Sequence, residues 1–140
     1  MAIQPRPEQL QTFVENVSKG PIYMLNLLKF KERAEYADGR DTDLTGEQAY
    51  ALYGAGVGNL IAELGGRMVF AGKMNVQLIG DDDLAWDTVG IVEYPSIEAF
   101  QGMTASDAYQ DIHVHRAAGL EHQLLINCLS REQVMQLAGS

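Results

Sequence analysis

The sequence predicts an α+β fold in which four antiparallel strands form one sheet and two helices cover one of its faces. Segments rich in apolar residues follow one another with strand and helix spacing in the order βαββαβ. Glycine or proline stands at most of the borders between them. Helical patterns also precede and follow this core. The order is that of the ferredoxin-like split βαβ arrangement.

The first strand carries information about assembly. We expect a short helix over residues 7–17, where Pro7 suits the first helical position and apolar residues recur at helical spacing. Residues 22–30 form the first strand, and both of its faces are apolar, so both should be covered. One helical layer covers one face, and a second copy of the chain is the simplest cover for the other. The pattern therefore predicts a homodimer. Residues 31–44 are charged and are predicted to form a solvated loop.

A longer helix follows this loop. Thr45 and Gln48 have the spacing of a capping box, and Gly65-Gly66 ends the helix. Three glycines inside it, at positions 54, 56 and 58, cost ~3 kcal/mol relative to alanine. They indicate a break or a close packing contact, and our hypothesis is that the helix bends there and opens a cleft. A nucleotide loop is not favoured, because the run does not join a strand to a helix N-terminus.

The second half of the chain contains the other strands. Residues 67–79 are predicted to form the second strand, with Met68 and Phe70 on one face and Gly72 at a bulge or a close backbone approach. Asp81-Asp82-Asp83 is predicted to be a solvated turn and not a calcium loop, which needs ligands spread over about twelve residues. The remaining predictions are a strand at 86–94, helices starting at Ser96 and Ser106, a strand at 120–129 and a short helix at 131–138.

Composition excludes several functional classes. The 140 residues carry a net charge of −9, and the ten basic residues are scattered singly. Nucleic acids and anionic membrane surfaces attract basic patches, so we expect neither as a partner. No apolar stretch approaches the ~18 residues of a spanning helix, and the start of the chain lacks the pattern of a signal peptide. We therefore expect a single cytoplasmic domain over residues 1–140, with a core at about 20–129 and helical extensions on both sides.

Polar side chains of chemical interest gather between Trp86 and Ile126. Tyr109, His113 and Arg116 share one face of a predicted helix. In a functional interpretation, Arg116 anchors an anion and His113 acts as an acid–base group. In the alternative, the helix is partly exposed and Arg116 binds a carboxylate or a carbonyl. We expect no zinc site, since two His at four-residue spacing and clusters of Cys or carboxylates at ligand spacing are missing.

Other candidates lie on the first strand and the first long helix. Asn26 shares a strand face with apolar residues, so its amide makes either a structural hydrogen bond or a ligand contact at the base of a pocket. Tyr50 and Tyr53 face inward, as core aromatics or with hydroxyls that reach a cleft.

Two further residues have a favoured structural interpretation. Glu93 lies among apolar strand residues, where an ion pair with Arg67 or Lys73 is favoured over a role as general base. Cys128, the single cysteine, is predicted to be a small core residue and not a reactive thiol. No serine occupies a nucleophile elbow.

Several motifs occur together in an order known from one family. The run Pro21-Ile22-Tyr23-Met24-Leu25-Asn26-Leu27-Leu28-Lys29-Phe30 resembles the opening strand of the family catalogued as domain of unknown function 1330. Its later signatures are similar to Gly65-Gly66-Arg67, to Ile91-Val92-Glu93-Tyr94-Pro95-Ser96 and to the segment 109–120. The resemblance covers roughly residues 20–127 and implies a fold of the dimeric α+β barrel type, with two sheets packed face to face. Relatives in that superfamily include cofactor-independent monooxygenases, muconolactone-type isomerases and haem-handling proteins, but the family itself implies no particular activity.

These observations leave different functions open. The first is a small-molecule binding protein or cofactor-independent enzyme with a cleft between helices and sheet, acting by proton transfer or oxygenation on a small acid or carbonyl compound. The second is a non-catalytic dimeric module, and the third is a haem-binding protein with His113 or His115 as axial ligand. The first two need no cofactor, and none is expected. The residues predicted to line the cleft are Asn26, Tyr50, Tyr53, Trp86, Tyr109, His113 and Arg116.

Overall fold

The computed structural model describes residues 3–81 and 86–139. Its elements are, in chain order, α1 (Pro7–Asn16), β1 (Ile22–Phe30), α2 (Gly46–Glu63), β2 (Arg67–Lys73), β3 (Thr88–Tyr94), α3 (Ile97–Ala105), α4 (Asp107–Gly119), β4 (Leu120–Cys128) and α5 (Arg131–Ala138). The strands form one antiparallel sheet in the order β2-β3-β1-β4. This confirms the predicted α+β class and the ferredoxin-like order βαββαβ. Among the described residues, no helix is both long enough and apolar enough to cross a membrane.

Side-chain caps fix where the helices begin. The Thr45 hydroxyl accepts a hydrogen bond from the Gln48 amide at 3.0 Å, and the Gln48 side chain accepts one from the Thr45 amide at 2.9 Å. This is the capping box that the sequence predicted for α2. The hydroxyl of Ser106 caps α4 in the same way by accepting from the backbone N–H of Tyr109 at 3.2 Å. The cap satisfies a backbone N–H in the first turn of α4 and fixes where the helix starts.

The main core lies between the helices and one face of the sheet. Its buried members come from β1, β3 and three helices: Ile22, Met24, Val92, Tyr94, Tyr53, Ile61, Met103 and Tyr109. Full burial of an apolar side chain stabilises the fold by about 1.5–3 kcal/mol. Phe13 of α1 packs edge-on against Phe100 of α3 with ring centroids 6.1 Å apart, so α1 belongs to the same layer.

Glycines allow the two long helices to approach closely. A Cβ atom on Gly119 would lie 2.3 Å from the carbonyl oxygen of Gly46, so the end of α4 touches the start of α2 through backbone alone. A Cβ on Gly56 would lie 2.8 Å from Cγ2 of Ile112 in α4. The helix is uninterrupted through this glycine run. The close packing contact expected as one alternative is therefore confirmed, and the expected break is wrong.

Strand β2 differs from the prediction in its length and its faces. The register shifts between Met68 and Phe70, so Met68 pairs with buried Val92 whereas Phe70 pairs with Ile91 on the other face. The bulge lies there and not at Gly72, and the expectation that Met68 and Phe70 share a face is wrong. The strand ends at Lys73 instead of residue 79. The predicted acidic turn falls partly on residues 82–85, which lie outside the described residues.

The segment 31–44 is less solvated than its charge suggested. Ala34 and Tyr36 are buried in a second apolar cluster with Ala49 and Ala118. The backbone N–H of Glu35 donates to the carbonyl of Ala118 at 3.0 Å. The loop therefore packs against α2 and α4 through these two residues, although most of the segment is exposed as predicted.

The opposite face of the sheet is apolar and open. Phe70, Ile91, Leu25 and Ile126 are directly paired across the four strands and form one row. Phe70 is 57% exposed and Ile126 is 42% exposed. We refer to this row and the neighbouring row of Leu27, Val89 and Leu124 as the outer face.

Candidate functional site

Helix α4 presents three functional side chains to the interior. Their spacing along α4 places Tyr109, His113 and Arg116 on one side of the helix, as predicted. Tyr109 and Arg116 are each only 9% exposed. The rings of Tyr109 and His113 lie 5.7 Å apart between their centroids. The helix thus carries a phenol, an imidazole and a guanidinium in sequence toward the sheet.

Arg116 is a buried cation whose partners are neutral. Its Nη2 donates to Oε1 of Gln123 at 2.6 Å and to the carbonyl of Ile3, and its Nη1 approaches Nε2 of His113 at 3.5 Å. Among the described residues, no carboxylate forms an ion pair with it. A buried charge normally has an opposite charge beside it, since burial removes its hydration. The sequence left open a carboxylate or a carbonyl as partner, and the structure provides carbonyl oxygens.

Gln123 links this guanidinium to the sheet. Its Nε2 donates to Oδ1 of Asn26 at 2.9 Å. Asn26 in turn donates from Nδ2 toward the carbonyls of Met24 and Gly90 at 3.3 and 3.4 Å. The amide of Asn26 is therefore held by neighbours within the sheet, and it reaches Arg116 only through Gln123.

Gln123 was missed by the sequence analysis, although a signal was present. It pairs with Leu28, which is buried on the helix-covered face of the sheet. Residues paired across antiparallel strands share a face, so the register alone places Gln123 inside. That register depends on where β4 starts, and the sequence does not fix it.

His113 is oriented by donors on two sides. Nε2 of Gln4 lies 3.3 Å from Nε2 of His113. An amide nitrogen can only donate, so Nε2 of His113 accepts, and the proton of the neutral ring sits on Nδ1. Burial and the nearby Arg116 cation both lower the pKa of His113. At neutral pH the ring is a free base whose lone pair faces the guanidinium.

The tyrosines pack against one another beside this pair, with tilted and edge-on rings. The hydroxyls of Tyr53 and Tyr109 are 3.1 Å apart in the core, and the rings of Tyr50 and Tyr53 have centroids 5.2 Å apart. Burial raises the pKa of Tyr50 to about 12 and also raises that of Tyr53. Both phenols therefore remain protonated hydrogen-bond donors. The Tyr50 hydroxyl makes no hydrogen bond to another described residue.

Trp86 lies away from this cluster. Its indole packs edge-on against His122, with centroids 5.6 Å apart. His122 precedes Gln123 on β4, so the two side chains project from opposite faces. Trp86 also lines a separate cavity of about 310 Å³ beside Glu47 and Lys73. Of the seven residues predicted to share one cleft, six lie around the α4 cluster and Trp86 does not.

Glu93 takes the structural position that the sequence favoured, whereas Cys128 is half-buried on the outer face and is not the core residue that was predicted. Glu93 forms the predicted ion pair with Arg67, with Nε and Oε2 3.5 Å apart. It also binds the Tyr23 hydroxyl and so raises the pKa of Tyr23. Both lie on the outer face, because Tyr23 pairs with Glu93 across the strands. Cys128, half-buried, pairs with Tyr23 on the other side.

Two of the histidines form hydrogen bonds within the chain. In the described part of the chain, no group of three or more His, Cys, Asp or Glu is placed to hold a metal ion. Nδ1 of His115 is taken by the Tyr36 hydroxyl at 2.7 Å, and Nε2 of His113 faces the Gln4 amide and a cation. An axial haem ligand needs a free lone pair directed at open space, and Nε2 of His113 does not offer one.

The sequence matches one family. A profile described as "Domain of unknown function (DUF1330)" matches residues 40–127. The chain belongs to the DUF1330 family. This confirms the resemblance seen in the sequence, although the matched range begins after the opening strand that first indicated it. Among curated proteins, none matches this DUF1330 chain.

Solved structures show the same fold. The DUF1330 chain is 40% identical to the RPA0582 protein of unknown function from Rhodopseudomonas palustris, with 90% of this chain and 94% of that chain covered and a TM-score of 0.80. A methylated form of the RPA0582 protein gives 42% identity, 93% and 96% coverage and a TM-score of 0.82. A hydroxynitrile lyase from Passiflora edulis is similar at a TM-score of 0.56, with 82% and 97% coverage, but its 12% identity shows a shared fold alone.

Proposed function

We propose that the cluster around Arg116 binds a small acid or carbonyl compound. The observation that carries this proposal is a buried guanidinium whose partners among the described residues are all neutral. An oxygen anion from a ligand would supply the missing charge, and charge-assisted hydrogen bonds are roughly twice as strong as neutral ones. The tyrosine rings offer apolar walls, and the Tyr50 hydroxyl offers a further donor. Six of the residues predicted from the sequence would contribute: Asn26 through Gln123, and Tyr50, Tyr53, Tyr109, His113 and Arg116 directly.

The arrangement supports proton transfer next to a carbonyl without a cofactor. Nε2 of His113 would take a proton from the carbon beside the carbonyl group. The electron pair of the broken C–H bond would form the C=C bond of an enolate, and the carbonyl oxygen would gain the negative charge. Arg116 would stabilise that oxygen. Return of the proton to a different atom gives isomerisation, and attack of the same carbanion on O2 gives oxygenation.

Binding can be tested with acetate, pyruvate and acetoacetate as probes. We expect a probe at about 100 times its Kd to stabilise the protein by about 2.7 kcal/mol. Arg116→Lys should retain the fold and lose most of this response. Arg131→Lys, the same substitution at an exposed arginine on α5, is the matched control. An equal response in Arg116→Lys and the parent protein would contradict the proposal.

Proton transfer has its own test. In D2O, the methyl protons of pyruvate should exchange faster in the presence of the protein, as followed by proton NMR. His113→Gln should abolish the acceleration while the thermal response to pyruvate persists. If pyruvate binds and the parent protein does not accelerate exchange, the site binds without this chemistry.

The outer face supports a second proposal, a homodimer. Soluble monomers rarely expose apolar patches beyond a few hundred Å², and the outer face presents one apolar row across all four strands and a second row across three. Its self-complementary partner is a second copy of this chain, related by a two-fold axis.

We expect light scattering to give twice the chain mass of 15.4 kDa. Phe70→Glu, at an exposed position, should shift the protein to monomer without loss of its circular dichroism spectrum. A stable monomer of the parent protein would contradict the dimer. A dimer that none of the acid probes stabilises would favour the non-catalytic module.

A further inference from the structure

The chain itself occupies the Arg116 site. The carbonyl of Ile3 accepts a hydrogen bond from Arg116, and the side-chain amide of Gln4 donates one to His113 at 3.3 Å. These contacts join positions separated by more than a hundred residues along the chain. They hold the segment before α1 across the inner face of α4.

These two contacts form a defined pattern. An oxygen acceptor faces the guanidinium of Arg116, and a nitrogen donor faces the lone pair of His113. A ligand that replaces both must offer the same pair of groups next to each other. A carboxylate or carbonyl oxygen with an adjacent hydroxyl or amide N–H fulfils this condition, whereas a simple carboxylate fulfils only half of it.

We propose that Ile3 and Gln4 act as an internal ligand, and that the external ligand is a hydroxy-acid or a hydroxy-carbonyl compound. The ligand class rests on the function proposed above. The external ligand displaces the segment because its charged oxygen binds a buried cation more strongly than a neutral backbone carbonyl does. The site therefore opens most readily to compounds that satisfy both Arg116 and His113.

The segment before α1 is attached to the fold in a way that allows an external ligand to replace it at Arg116. Beyond it, α1 is anchored in the core through Phe13, which packs against Phe100. Gln4 is exposed, so its hydrogen bond to His113 competes with water and stabilises the closed state only weakly. Pro5 and Pro7 restrict the backbone on either side of Arg6, which lowers the entropy that the segment loses on closing. Displacement therefore leaves the rest of the fold in place.

The contact can be tested without any ligand by arginine modification. Phenylglyoxal modifies accessible guanidinium groups, and peptide mass spectrometry reports the rate at Arg116. Gln4→Ala removes the amide donor and should raise that rate about fivefold, the factor that corresponds to one neutral hydrogen bond. Gln4→Glu places a carboxylate beside the cation and should lower the rate below that of the parent protein. Gln11→Ala, which removes an exposed amide bonded to Glu15, is the matched control and should not change it.

The ligand class is tested with glycolate and acetate, which differ by one hydroxyl. Glycolate should stabilise the parent protein more than acetate does. Its apparent affinity should rise about fivefold in Gln4→Ala and fall in Gln4→Glu. Equal modification rates at Arg116 in all variants would overturn the internal ligand, even if acetate binds. If the modification rates at Arg116 change as predicted but neither acid stabilises the protein, the internal contact stands and the proposed function is contradicted. Equal responses to the two acids would overturn the hydroxy-acid class.

Discussion

The carboxamide oxygen of Gln123 accepts a hydrogen bond of 2.6 Å from Arg116 and so joins α4 to β4. The other end of the same carboxamide donates to Asn26. Reversing the carboxamide would leave both neighbours facing the wrong group, so its orientation is fixed from two sides. The guanidinium is thereby held in place by a residue that offers no charge.

This contact predicts the effect of Gln123→Glu. A carboxylate at this position would pair with Arg116 and would give up the donor to Asn26. The gain from a charged hydrogen bond and the loss of a neutral one nearly offset each other, so the free energy of unfolding should change by less than about 2 kcal/mol. The thermal response to acetate should disappear, because the cation is neutralised internally.

Gln123→Met is the control for that change. It removes both hydrogen bonds without adding charge, and it should destabilise the protein by about 1–3 kcal/mol in urea unfolding. A response to acetate that survives in Gln123→Glu would show that acetate binds elsewhere.

The contact between Gly46 and Gly119 predicts a strong effect of one added methyl group. In Gly119→Ala the new Cβ would meet the Gly46 carbonyl at 2.3 Å, and the two helices would have to separate. We expect a loss of about 3 kcal/mol or more in the free energy of unfolding.

Gly58→Ala is the matched helical control. A Cβ at this position meets no atom within 4 Å, so the substitution should stabilise α2 by about 0.5–1 kcal/mol. Urea titrations of both variants test the pair. If both substitutions change the free energy of unfolding in the same direction, helix propensity determines the stability of Gly119→Ala and the contact with Gly46 does not.

The lowered pKa of His113 predicts a pH dependence of stability. Histidine titrates near 6.5 in the unfolded chain and lower in the folded protein, because burial and Arg116 disfavour the imidazolium. Between the two values the unfolded chain binds more protons, so the free energy of unfolding rises with pH. The stabilising contribution of His113 is fully present above the pKa that this residue has in the unfolded chain. It is lost as the pH falls toward the lower pKa in the folded protein.

An NMR titration of the His113 ring should therefore give a pKa below 6.5. Replacement of His113 by Asn should reduce the fall in the urea midpoint between about pH 7 and pH 5. A measured pKa at or above the unfolded value would show that the ring lies farther from Arg116 than the structure places it.

The buried hydroxyl pair of Tyr53 and Tyr109 predicts an energetic coupling. Each Tyr→Phe substitution removes one partner and leaves the other hydroxyl unpaired in the core, at a cost of about 1–3 kcal/mol. The double variant should lose less than the sum, with a coupling of about 0.5–1.5 kcal/mol. Tyr50→Phe is the control and should change the stability little, because its hydroxyl bonds no described residue. Additive losses would indicate that the two hydroxyls are not bonded in solution.

Local sequence signals predicted most of the elements. The capping residues Thr45, Ser96 and Ser106 act within one helical turn, so they fixed the starts of α2, α3 and α4 directly. The same reasoning fixed the common face of Tyr109, His113 and Arg116. Signals of this kind depend on neighbours three or four residues away.

The features that were missed depend on distant contacts. Gln123 lies in the site because of the pairing register of β4. Ile3 and Gln4 lie there because the segment before α1 contacts α4. The bulge in β2 reverses the alternation that placed Met68 and Phe70 on one face. None of these follows from spacing along the chain, because each is decided by which strand or helix lies opposite.

The bulge also affects how copies of the protein can meet. Strand β2 lies at the edge of the sheet, where unpaired N–H and C=O groups could accept a strand from another molecule. The irregular backbone between Met68 and Phe70 interrupts that row of groups and increases the local twist. A single extra residue, Val69, therefore disfavours growth of a continuous sheet from this edge, which is the first step toward fibrils.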